Sequence, residues 1–319
     1  MMRARPLLDA LASALVAFAA ALAFERGLIR LLGLNLRELE WISDVVLATA
    51  LGVATFLWLH LRLARSALTR LERTQLVLET ELQVAADIQR GMLPPLPPAR
   101  DGWRFAAQLE QAGHIGGDFY DFVDRGRSLL ILLADVSGKG IPAALVMESS
   151  RTLFRLLARE TDCPEELVAR LGRALYAEHG GTPYATCFLA RLDFEARTLS
   201  WVNAGHPAAL LVRGTQHQAL ASGGPPAGIL PGPRYEAQAL RLVAGDALVL
   251  VTDGVTEAIE ADGRVEERLA WTAAQRRPGG PEAVCRRVMS LAASGRGPRG
   301  AGGAWADDRT VVAVTLDGP

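Results

Sequence analysis

Aspartates stand at the ends of apolar runs in four separate parts of the sequence, and their chemistry is the most informative feature of the chain. Asp118 opens the stretch DFYDF, Asp135 ends the run LLILLAD, and Asp253 ends the run LVLVTD. Asp307 and Asp308 stand together before the last apolar run, RTVVAV. An aspartate beside a glycine is usually a turn residue, so any one of them has an ordinary structural explanation.

Taken together, these aspartates are harder to explain as turn residues. Carboxylates gathered at one edge of a sheet repel one another and lose solvation, so the group must be protonated or neutralised by cations. Oxygen ligands without cysteine or histidine select Mg²⁺ or Mn²⁺ rather than zinc. The glycines in ADVSGKG would let the backbone and water come close to Asp135. The pattern therefore predicts a site for hard divalent cations.

A phosphate-binding loop is the first alternative for the glycine-rich segment after Asp135, but its spacing is wrong. A Walker loop needs a glycine, four residues, and then Gly-Lys followed by serine or threonine. Here Gly138-Lys139 is followed by Gly140, and Leu133 stands where the first glycine should be. The sequence therefore excludes a nucleotide-binding loop of this type.

The composition excludes several other classes of function. The 319 residues include 34 basic and 35 acidic ones, with no basic run or stripe, so no nucleic-acid partner is predicted. The three cysteines, Cys163, Cys187 and Cys285, have no paired spacing and indicate neither a disulfide framework nor a zinc site. The five histidines are scattered. A reduced, cytosolic environment is expected for the bulk of the chain.

The N-terminal region is apolar enough to enter a membrane. Half of all residues are hydrophobic, and two runs, at about 6–24 and 42–61, approach the ~20 residues that a spanning helix needs. Trp41 and Trp58 lie near the ends of the second run, as interfacial anchors do. The prediction is a hairpin of two transmembrane helices in residues 1–62. A cleaved signal peptide for the first run, or a buried core helix for either, is the alternative.

The arginines on either side of these runs predict the orientation of the hairpin. They lie before the first run and after the second, at Arg3, Arg5, Arg62, Arg65, Arg70 and Arg73. The positive-inside rule then places both termini in the cytoplasm. The expected location is the inner, or cytoplasmic, membrane, with two spans and with the C-terminal domain in the cytoplasm.

A heptad pattern follows the second run. Apolar residues and two glutamines alternate three and four apart, at Leu61, Ala64, Leu68, Leu71, Gln75, Leu78, Leu82, Ala85, Gln89 and Met92. This spacing predicts a coiled-coil helix in residues 63–95, forming a parallel homodimer in which the glutamines fix the register. One long amphipathic helix packed on its own domain is the alternative. Four prolines between 94 and 98 end the helix and mark a domain boundary.

Residues 102–319 combine short β runs with helical blocks. The predicted strands are Phe119–Val123, Leu129–Ala134, Ala185–Leu192, Leu199–Asn203, Ala209–Val212, Leu240–Leu242, Ala247–Val251 and Arg309–Leu316. The predicted helices are Ile141–Arg159, Glu165–Glu178, Glu266–Arg276 and Pro281–Ala293. Turns at 124–127 and 243–246 join the first two strands and the pair before the last one. Strand pairs interrupted by helix pairs favour α+β layers over alternating βαβ units.

Five motifs, in order, resemble those of a known family. GGDFYDF, ADVSGKGIPAAL, NAGHPAALLV, LVTDGVTEA and WADDRTVVAV resemble the bacterial SpoIIE/RsbU-like branch of the PPM (protein phosphatase 2C-like) serine/threonine phosphatases. AADIQRGMLPPLPP resembles the helix and proline stretch that leads into that domain. The resemblance covers about residues 83–317, and the membrane hairpin lies outside it. It implies an α+β fold, a PPM-type β-sandwich flanked by helices, here preceded by two transmembrane helices and a coiled-coil helix.

The resemblance also implies two Mn²⁺ or Mg²⁺ ions between the sheets. Asp118, Asp135, Asp253 and Asp307 match the family's metal ligands, and the backbone carbonyl of Val136 matches a further contact. The implied chemistry is hydrolysis of a phosphomonoester by a metal-activated water, in which Asp118, Asp135 and Asp253 are the catalytic residues. One further acid, Asp308, could replace its neighbour, and Asp121 is a weaker candidate.

This chain departs from the eukaryotic members at two places. Ser137 stands where those enzymes have a histidine, a suspected general acid, and their phosphate-binding arginine has no evident counterpart. The acid that protonates the leaving group is therefore unassigned. Lys139 is a candidate contact for the substrate phosphate, against the alternative of a solvated loop lysine. For His206, a structural turn residue is the favoured interpretation over an acid.

The expected substrate class follows from the resemblance. Relatives dephosphorylate phosphoserine or phosphothreonine on an anti-sigma factor antagonist (STAS) protein in partner-switching pathways. The main alternative is a catalytically inactive PPM fold that binds a regulator as a scaffold. Two other membrane-anchored classes fit less well, because the residues after Gly116-Gly117-Asp118 are wrong for a diguanylate cyclase and the ATP-binding boxes of a histidine kinase do not appear.

Overall fold

The computed structural model describes residues 37–221, 223–259, 264–275, 280–295 and 306–317, with a few isolated positions between 16 and 31. The chain divides into two compact units, Met1–Leu78 and Glu79–Pro319. One long helix, α1 (Arg37–Met92), contributes to both. It ends two residues before Pro94, as expected from the inability of proline to continue the hydrogen-bond ladder.

Helix α1 contains the second predicted membrane span. The portion Asp44–Met92 is long and apolar enough to cross a membrane, with a mean hydropathy of 1.7 in its apolar part, none of which is buried. The first predicted span, residues 6–24, lies largely outside the described residues. Farther along, three leucines of the heptad pattern, Leu68, Leu71 and Leu78, are 57%, 63% and 53% exposed. The dimeric coiled coil stays a prediction.

The last turns of α1 pack within the second unit. Gln89 is 7% exposed, and its amide nitrogen donates to the carbonyl of Gly116 at 2.8 Å while its amide oxygen accepts from the Gly116 N–H at 3.2 Å. Gln111 donates to the same oxygen at 2.6 Å. The expectation that Gln89 fixes register between two helices is therefore wrong, because its polar groups are satisfied inside its own domain.

The second unit is built on two antiparallel sheets of five strands each. The first sheet has the order β1-β10-β9-β6-β7 and consists of β1 (Trp103–Glu110), β6 (Ala209–Arg213), β7 (Gln216–Leu220), β9 (Asp246–Val251) and β10 (Arg309–Leu316). The second has the order β2-β3-β4-β5-β8 and consists of β2 (Asp118–Asp124), β3 (Ser128–Val136), β4 (Ala185–Asp193), β5 (Thr198–Ala204) and β8 (Gln238–Arg241).

Helices cover the outer face of each sheet. The second sheet packs against α2 (Ile141–Glu160) and α3 (Pro164–His179), and the first against α4 (Asp253–Ile259), α5 (Val265–Ala274) and α6 (Gly280–Ser294). A third apolar core, including Trp103, Phe122 and Phe188, fills the space between the sheets. The result is a four-layer arrangement of helices, sheet, sheet and helices, which confirms the α+β prediction.

Burial on both faces explains why the strands read as continuous apolar runs. In β3, Leu129, Ile131 and Leu133 face the core between the sheets. The alternate residues Leu130 and Leu132 lie in the core under α2 and α3. Successive side chains of a strand point to opposite faces, so covering both faces requires apolar residues at every position.

The structure corrects one local prediction and adds elements that were not predicted. Strands β8 and β9 do not form a hairpin, because β8 pairs with β5 in the second sheet while β9 pairs with β6 and β10 in the first. Strands β1 and β7 were not predicted, since WRFAAQLE and QHQAL mix polar and apolar residues without a clear period. The short helix α4, which begins at Asp253, was not predicted either.

Asp121, the weaker site candidate, lies on the helix-facing side of β2. Its carboxylate is fully buried and accepts two hydrogen bonds from Arg155 of α2, at 2.6 and 2.7 Å. Arg151 of the same helix lies 3.4 Å away. The strand period separates it from Asp118, three residues earlier, because odd spacings point to opposite faces. Asp121 therefore holds α2 against the sheet and takes no part in the acid group.

Replacing Asp121 with asparagine is expected to destabilise the protein by about 3–5 kcal/mol, because it leaves the guanidinium groups of α2 without their buried partner. The measurement is the free energy of unfolding in denaturant. Asp162→Asn is a matched control, since Asp162 pairs with Arg191 at 2.6 Å but is 39% exposed, and such pairs contribute at most about 1 kcal/mol. Equal losses in the two variants would contradict this role of Asp121.

Candidate active site

The first two site residues face each other across neighbouring strands. In the β2–β3 ladder Asp118 lies directly opposite Asp135, and residues paired in this way project to the same face of the sheet. Tyr120 and Leu133 occupy that face farther along and belong to the core between the sheets. Asp118 and Asp135 therefore lie at the edge of the space between the two sheets.

The other sheet contributes the remaining acids. Asp253 is the first residue of α4 and is separated from the end of β9 by Thr252 alone, while Asp307 and Asp308 immediately precede β10. Because β9 and β10 are antiparallel neighbours, the end of one and the start of the other lie side by side. The charges of all three acids raise the pKa of Asp135. The structure therefore brings acids from all four segments close to one another.

Two threonines that sequence reasoning missed hold Asp118 in place. The hydroxyls of Thr252 and Thr310 both donate to Asp118 Oδ2, at 2.7 and 2.6 Å. The Thr310 N–H donates in turn to the Thr252 hydroxyl at 3.0 Å. Each threonine interrupts an apolar run beside a motif acid, in LVLVTDG and DDRTVV. That interruption is the signal by which they could have been found.

The carboxylates raise one another's pKa values. Burial is the main cause for each, and it raises the pKa of Asp118 well above its usual value and the pKa of Asp135 to about 7. The pKa values of Asp253 and Asp308 are raised for the same reason, with neighbouring carboxylates adding to the effect. Because burial and like charge both disfavour the ionised carboxylates, either protonation or a bound cation would stabilise this group.

Asp307 and Asp308 have different surroundings. Asp308 is 5% exposed and its Oδ1 accepts from the Ala112 N–H at 2.8 Å, so its carboxylate is held by the loop that leads into β2. The carboxylate of Asp307 is 37% exposed, and its Oδ2 lies 2.7 Å from the ammonium of Lys139. Asp307 is thus the member of the pair that is exposed to solvent, and it is paired with Lys139.

Gly116 is where the loop before β2 passes closest to Asp308. A Cβ at this position would lie 1.6 Å from Asp308 Oδ2, which no real contact permits. Gly116→Ala is therefore expected to push Asp308 out of the acid group and to weaken binding of Mn²⁺ at least about tenfold, as loss of a supporting contact at a metal site does. Isothermal titration calorimetry of the full-length protein measures this affinity.

The control for Gly116→Ala is the same substitution three residues earlier. A Cβ at Gly113 would meet its nearest neighbour, the Ile115 carbonyl oxygen, at 3.8 Å, an ordinary contact. Gly113→Ala should therefore bind Mn²⁺ as the wild type does. Equal affinity in all three proteins would show that Asp308 has no influence on the site.

The Val136 carbonyl lies beside the acids, as the motif comparison implies. A Cβ at Gly117 would stand 2.7 Å from this oxygen and 3.4 Å from Asp135 Oδ1, so the two oxygens share one side of Gly117. A side chain at Gly117 would collide with this carbonyl, so glycine is required where the loop before β2 passes the Val136 oxygen.

A cavity of about 340 Å³ opens next to the acids. Its wall includes Gly116, Lys139, Ile141, Asp307 and Asp308. It is therefore formed by the loop before β2, the loop between β3 and α2, and the segment before β10. A larger, open depression of about 510 Å³ over β6 and β7 carries none of these acids, whereas the smaller cavity is lined by Asp307 and Asp308.

Two other residues considered from the sequence have structural roles. The Ser137 hydroxyl accepts from the Tyr184 N–H at 3.0 Å, so it fixes a loop. His206 is 4% exposed, its N–H is bonded to Asn203 Oδ1 at 2.9 Å, and its ring lies 2.9 Å from the Thr186 hydroxyl. Burial lowers the pKa of His206 to about 3. The ring is neutral near pH 7, which supports the structural interpretation over a general acid.

Residues 125–317 match the model of the family described as Stage II sporulation protein E (SpoIIE), which is more than half of the chain. The chain belongs to the SpoIIE family. Asp118 precedes the matched range, while the other acids of the site lie inside it. The membership confirms the resemblance of the motifs, and the two sheets with their outer helices are the PPM-type fold.

Several curated proteins resemble this SpoIIE-family chain. Phosphoserine phosphatase RsbU of Bacillus subtilis is 28% identical over 191 residues, covering 59% of this chain and 57% of RsbU. Protein IcfG of Synechocystis is 31% identical over 208 residues, covering 56% of this chain and 33% of IcfG. Phosphoserine phosphatase RsbP of B. subtilis is 30% identical over 185 residues, with 56% and 45% covered. The chain thus spans between a third and somewhat more than half of these relatives.

Solved structures share the fold of the SpoIIE-family domain. The RsbU and RsbW domains of a Mycobacterium tuberculosis protein align with a TM-score of 0.57 and 26% identity, covering 71% of this chain and 63% of theirs. The SiaA-PP2C domain of Pseudomonas aeruginosa aligns with a TM-score of 0.64 and 21% identity, covering 76% of this chain and 99% of that domain. At 21% identity the second likeness concerns the fold alone.

Proposed function

We propose that this chain is a metal-dependent protein serine/threonine phosphatase that uses two Mn²⁺ or Mg²⁺ ions. The observation that carries the proposal is the convergence of acids from four segments at one end of the two sheets, where burial and like charge raise their pKa values. Two relatives are named phosphoserine phosphatases, which supports the same activity for this chain.

The residues present fit a pair of hard cations. The donors are carboxylate oxygens and one backbone carbonyl, the ligand types that Mg²⁺ and Mn²⁺ prefer. Among the residues that the structure describes, no three acidic, histidine or cysteine side chains stand ready to chelate one ion. The carboxylates are instead engaged by threonine hydroxyls, backbone amides and Lys139. Ion binding would therefore exchange some of these contacts for metal ligation.

We assign a role to each residue on this basis. Asp118, Asp135, Asp253 and Asp307 would hold the two ions, together with the Val136 carbonyl. Thr252 and Thr310 orient Asp118 through their hydroxyl groups. Asp308 is a further candidate ligand, and its contact with the Ala112 N–H also ties the loop before β2 to the site.

Hydrolysis would take place at the mouth of the cavity beside Asp307. The ions would supply activation of a water for attack on phosphorus and neutralisation of the phosphoryl oxygens. The contribution of the chain is to position the carboxylates on two rigid sheets, so that little reorganisation is needed during the reaction. Both His206 and Ser137 are occupied structurally, so neither is the acid that protonates the leaving group.

The activity is tested by release of orthophosphate from a phosphoserine peptide by the full-length protein. We expect release with Mn²⁺ or Mg²⁺ and none after the ions are removed with EDTA, with recovery when the ions are restored. Ion binding measured by calorimetry without any release would favour the inactive scaffold, the alternative function for this fold. Absence of both ion binding and release would overturn the phosphatase proposal.

The proposed substrate is a phosphorylated STAS-type regulatory protein, an anti-sigma factor antagonist, in a partner-switching pathway. Similarity to RsbU and RsbP supports this partner class. A capture experiment with a metal-ligand variant such as Asp253→Asn as bait would retain the phosphorylated partner, because turnover is blocked. Equal capture of the unphosphorylated form would contradict a substrate relationship.

We further propose that the domain is held at the cytoplasmic membrane as a homodimer. The proposed domains are a two-helix membrane hairpin in residues 1–62, a coiled-coil segment in 63–95 and the phosphatase domain in 102–319. The long apolar helix supports the membrane assignment. The exposure of Leu68 and Leu71 supports pairing with a second copy of the chain through the first part of the heptad pattern. Farther along the pattern, Leu82 is half-buried and Gln89 is buried against the C-terminal domain of the same chain.

A double substitution tests the dimer. Leu68→Glu with Leu71→Glu should convert a dimer into a monomer in size-exclusion chromatography with light scattering, because charges would replace the exposed apolar contact. Val84→Glu is the control, as Val84 is 53% exposed but lies outside the heptad positions. A wild-type protein that is monomeric in solution would rule out this arrangement.

A further inference from the structure

Lys139 is unusual in the composition of the chain. Of the 34 basic residues, it is the one lysine, and the others are all arginines. A general preference for arginine accounts for the scarcity of lysine, but it does not account for the position at which lysine is kept. That position is the wall of the cavity beside the acids.

The side chain of Lys139 spans from one loop to another. Its ammonium lies 2.7 Å from Asp307 Oδ2 and also contacts the carbonyl of Ala306. The charge of Lys139 also offsets part of the rise that burial and Asp307 cause in the pKa of Asp253. Lys139 therefore neutralises part of the acid group from the solvent side, since its side chain is 64% exposed.

The backbone around Lys139 is free to change direction. Its neighbours Gly138 and Gly140 have φ angles of +105° and +70°, conformations that residues with a side chain seldom adopt. Among the residues that the structure describes, apart from the adjacent ones in the chain, no heavy atom lies within 4 Å of the place where a Cβ would stand at either glycine. The loop can thus carry the ammonium away from Asp307 without a collision at these two positions.

A divalent ion and Lys139 compete for the same oxygen. Asp307 Oδ1 already accepts from the Asp308 N–H at 2.9 Å, so Oδ2 is the oxygen that a divalent ion would take. An ammonium and a divalent cation at that oxygen would repel each other. The displaced ammonium would lie in a cavity that the phosphoryl group must enter. An ammonium is a compact charge with three rotatable donors, whereas a guanidinium would hold a carboxylate through two parallel bonds.

We propose that Lys139 is a displaceable counter-ion, which neutralises Asp307 until a divalent ion takes that carboxylate, and which then binds the phosphoryl group of the substrate. This inference rests on the proposed phosphatase function and adds the missing phosphate-binding cation. It also gives a reason for lysine at a position where the chain could have used arginine.

The single lysine makes a direct test possible. Reductive methylation with ¹³C-formaldehyde labels Lys139 and the terminal amine of the full-length protein, and it preserves the positive charge. Saturation with Mg²⁺ should shift the Lys139 methyl resonance, and inorganic phosphate added afterwards should shift it again. In Asp307→Asn the resonance should start near the Mg²⁺-saturated position of the wild type and should move little when Mg²⁺ is added.

The outcomes separate this inference from the proposed function. If calorimetry shows Mg²⁺ binding while the Lys139 resonance stays unchanged, Lys139 is not displaced and the inference is overturned alone. If Mg²⁺ does not bind, both are overturned. If the resonance shifts with Mg²⁺ but does not change when phosphate is added, the second half of the proposal, the contact with the phosphoryl group, is overturned.

Two variants provide an independent measurement. Lys139→Met removes the charge and should tighten Mg²⁺ binding while raising KM for a phosphoserine peptide, each by about tenfold, the scale of one charge-assisted contact. Lys139→Arg keeps the charge and should bind Mg²⁺ no more tightly than the wild type. Unchanged Mg²⁺ affinity and KM in Lys139→Met would contradict the proposal.

Discussion

Asp135→Asn will lower metal-dependent release of phosphate by roughly a thousandfold or more. Asp135 lies opposite Asp118 and is subject to the charges of three other acids, so it is at the centre of the proposed metal site. Loss of one ligand removes several kcal/mol of Lewis-acid stabilisation from the transition state, and every ~1.4 kcal/mol is a factor of ten in rate. The measurement is kcat/KM for a phosphoserine peptide at saturating Mn²⁺.

The control for this variant is at the opposite end of the neighbouring strand. Asp124 ends β2 and pairs with Arg100 at 3.2 Å on the surface. Asp124→Asn should leave kcat/KM unchanged, because this carboxylate is remote from the site and its ion pair is solvent-exposed. Turnover by Asp135→Asn at the wild-type rate would remove the metal assignment.

Asp135→Asn should stabilise the folded protein when metal is absent, although it lowers activity. Burial and neighbouring carboxylates raise the pKa of Asp135 from 3.8 to about 7 in the folded protein. The folded state therefore holds this proton more tightly than the unfolded state, and ionisation of Asp135 destabilises the fold as the pH rises from about 4 to 7. Asparagine has no charge to bury, so Asp135→Asn should gain stability across this range.

The expected gain is close to zero at pH 4 and reaches roughly 2–4 kcal/mol above pH 7, on the scale of 1.4 kcal/mol per pKa unit. It is measured as the difference in the free energy of unfolding between the variant and the wild type, in EDTA, at several pH values. A difference is needed because His206, whose pKa is lowered to about 3, gives a slope of opposite sign. Saturating Mg²⁺ should reverse the order, since it stabilises the wild type.

Asp124→Asn again provides the comparison, and its stability should differ from the wild type by at most about 1 kcal/mol at every pH. If Asp135→Asn is less stable than the wild type in EDTA at pH 8, the ionised Asp135 carboxylate does not destabilise the fold. Together the two measurements distinguish a residue kept for chemistry from one kept for stability.

Much of the fold could be predicted from local patterns. Strands β3 and β10 are buried almost throughout on both faces, so their central stretches are continuously apolar and easily recognised. The helices α2 and α3 have clear apolar faces and begin beside prolines. Strands β1 and β7 were not predicted because they are edge strands with mixed burial, so their apolar residues do not alternate clearly with polar ones.

Pairing between distant segments was harder to predict. The short connection after β8 suggested a hairpin, yet β8 and β9 lie in different sheets. The heptad pattern continues to Met92, yet its last turns pack on the domain, where Gln89 binds Gly116. In both cases the local signal is the same for two arrangements, and long-range contacts select between them.

The types and order of the acids were sufficient to predict a carboxylate site, because only a buried cation or protonation makes such a group tolerable. Which side each acid faces depended on the tertiary structure. Asp118 and Asp121 are three residues apart on one strand, but one joins the acid group and the other binds α2. The partners of the acids, Thr252, Thr310 and Lys139, also come from segments that only the folding of the two sheets brings together. The sequence thus determined which chemical groups this protein carries, whereas the packing of the two sheets decided which of them lie together in one site.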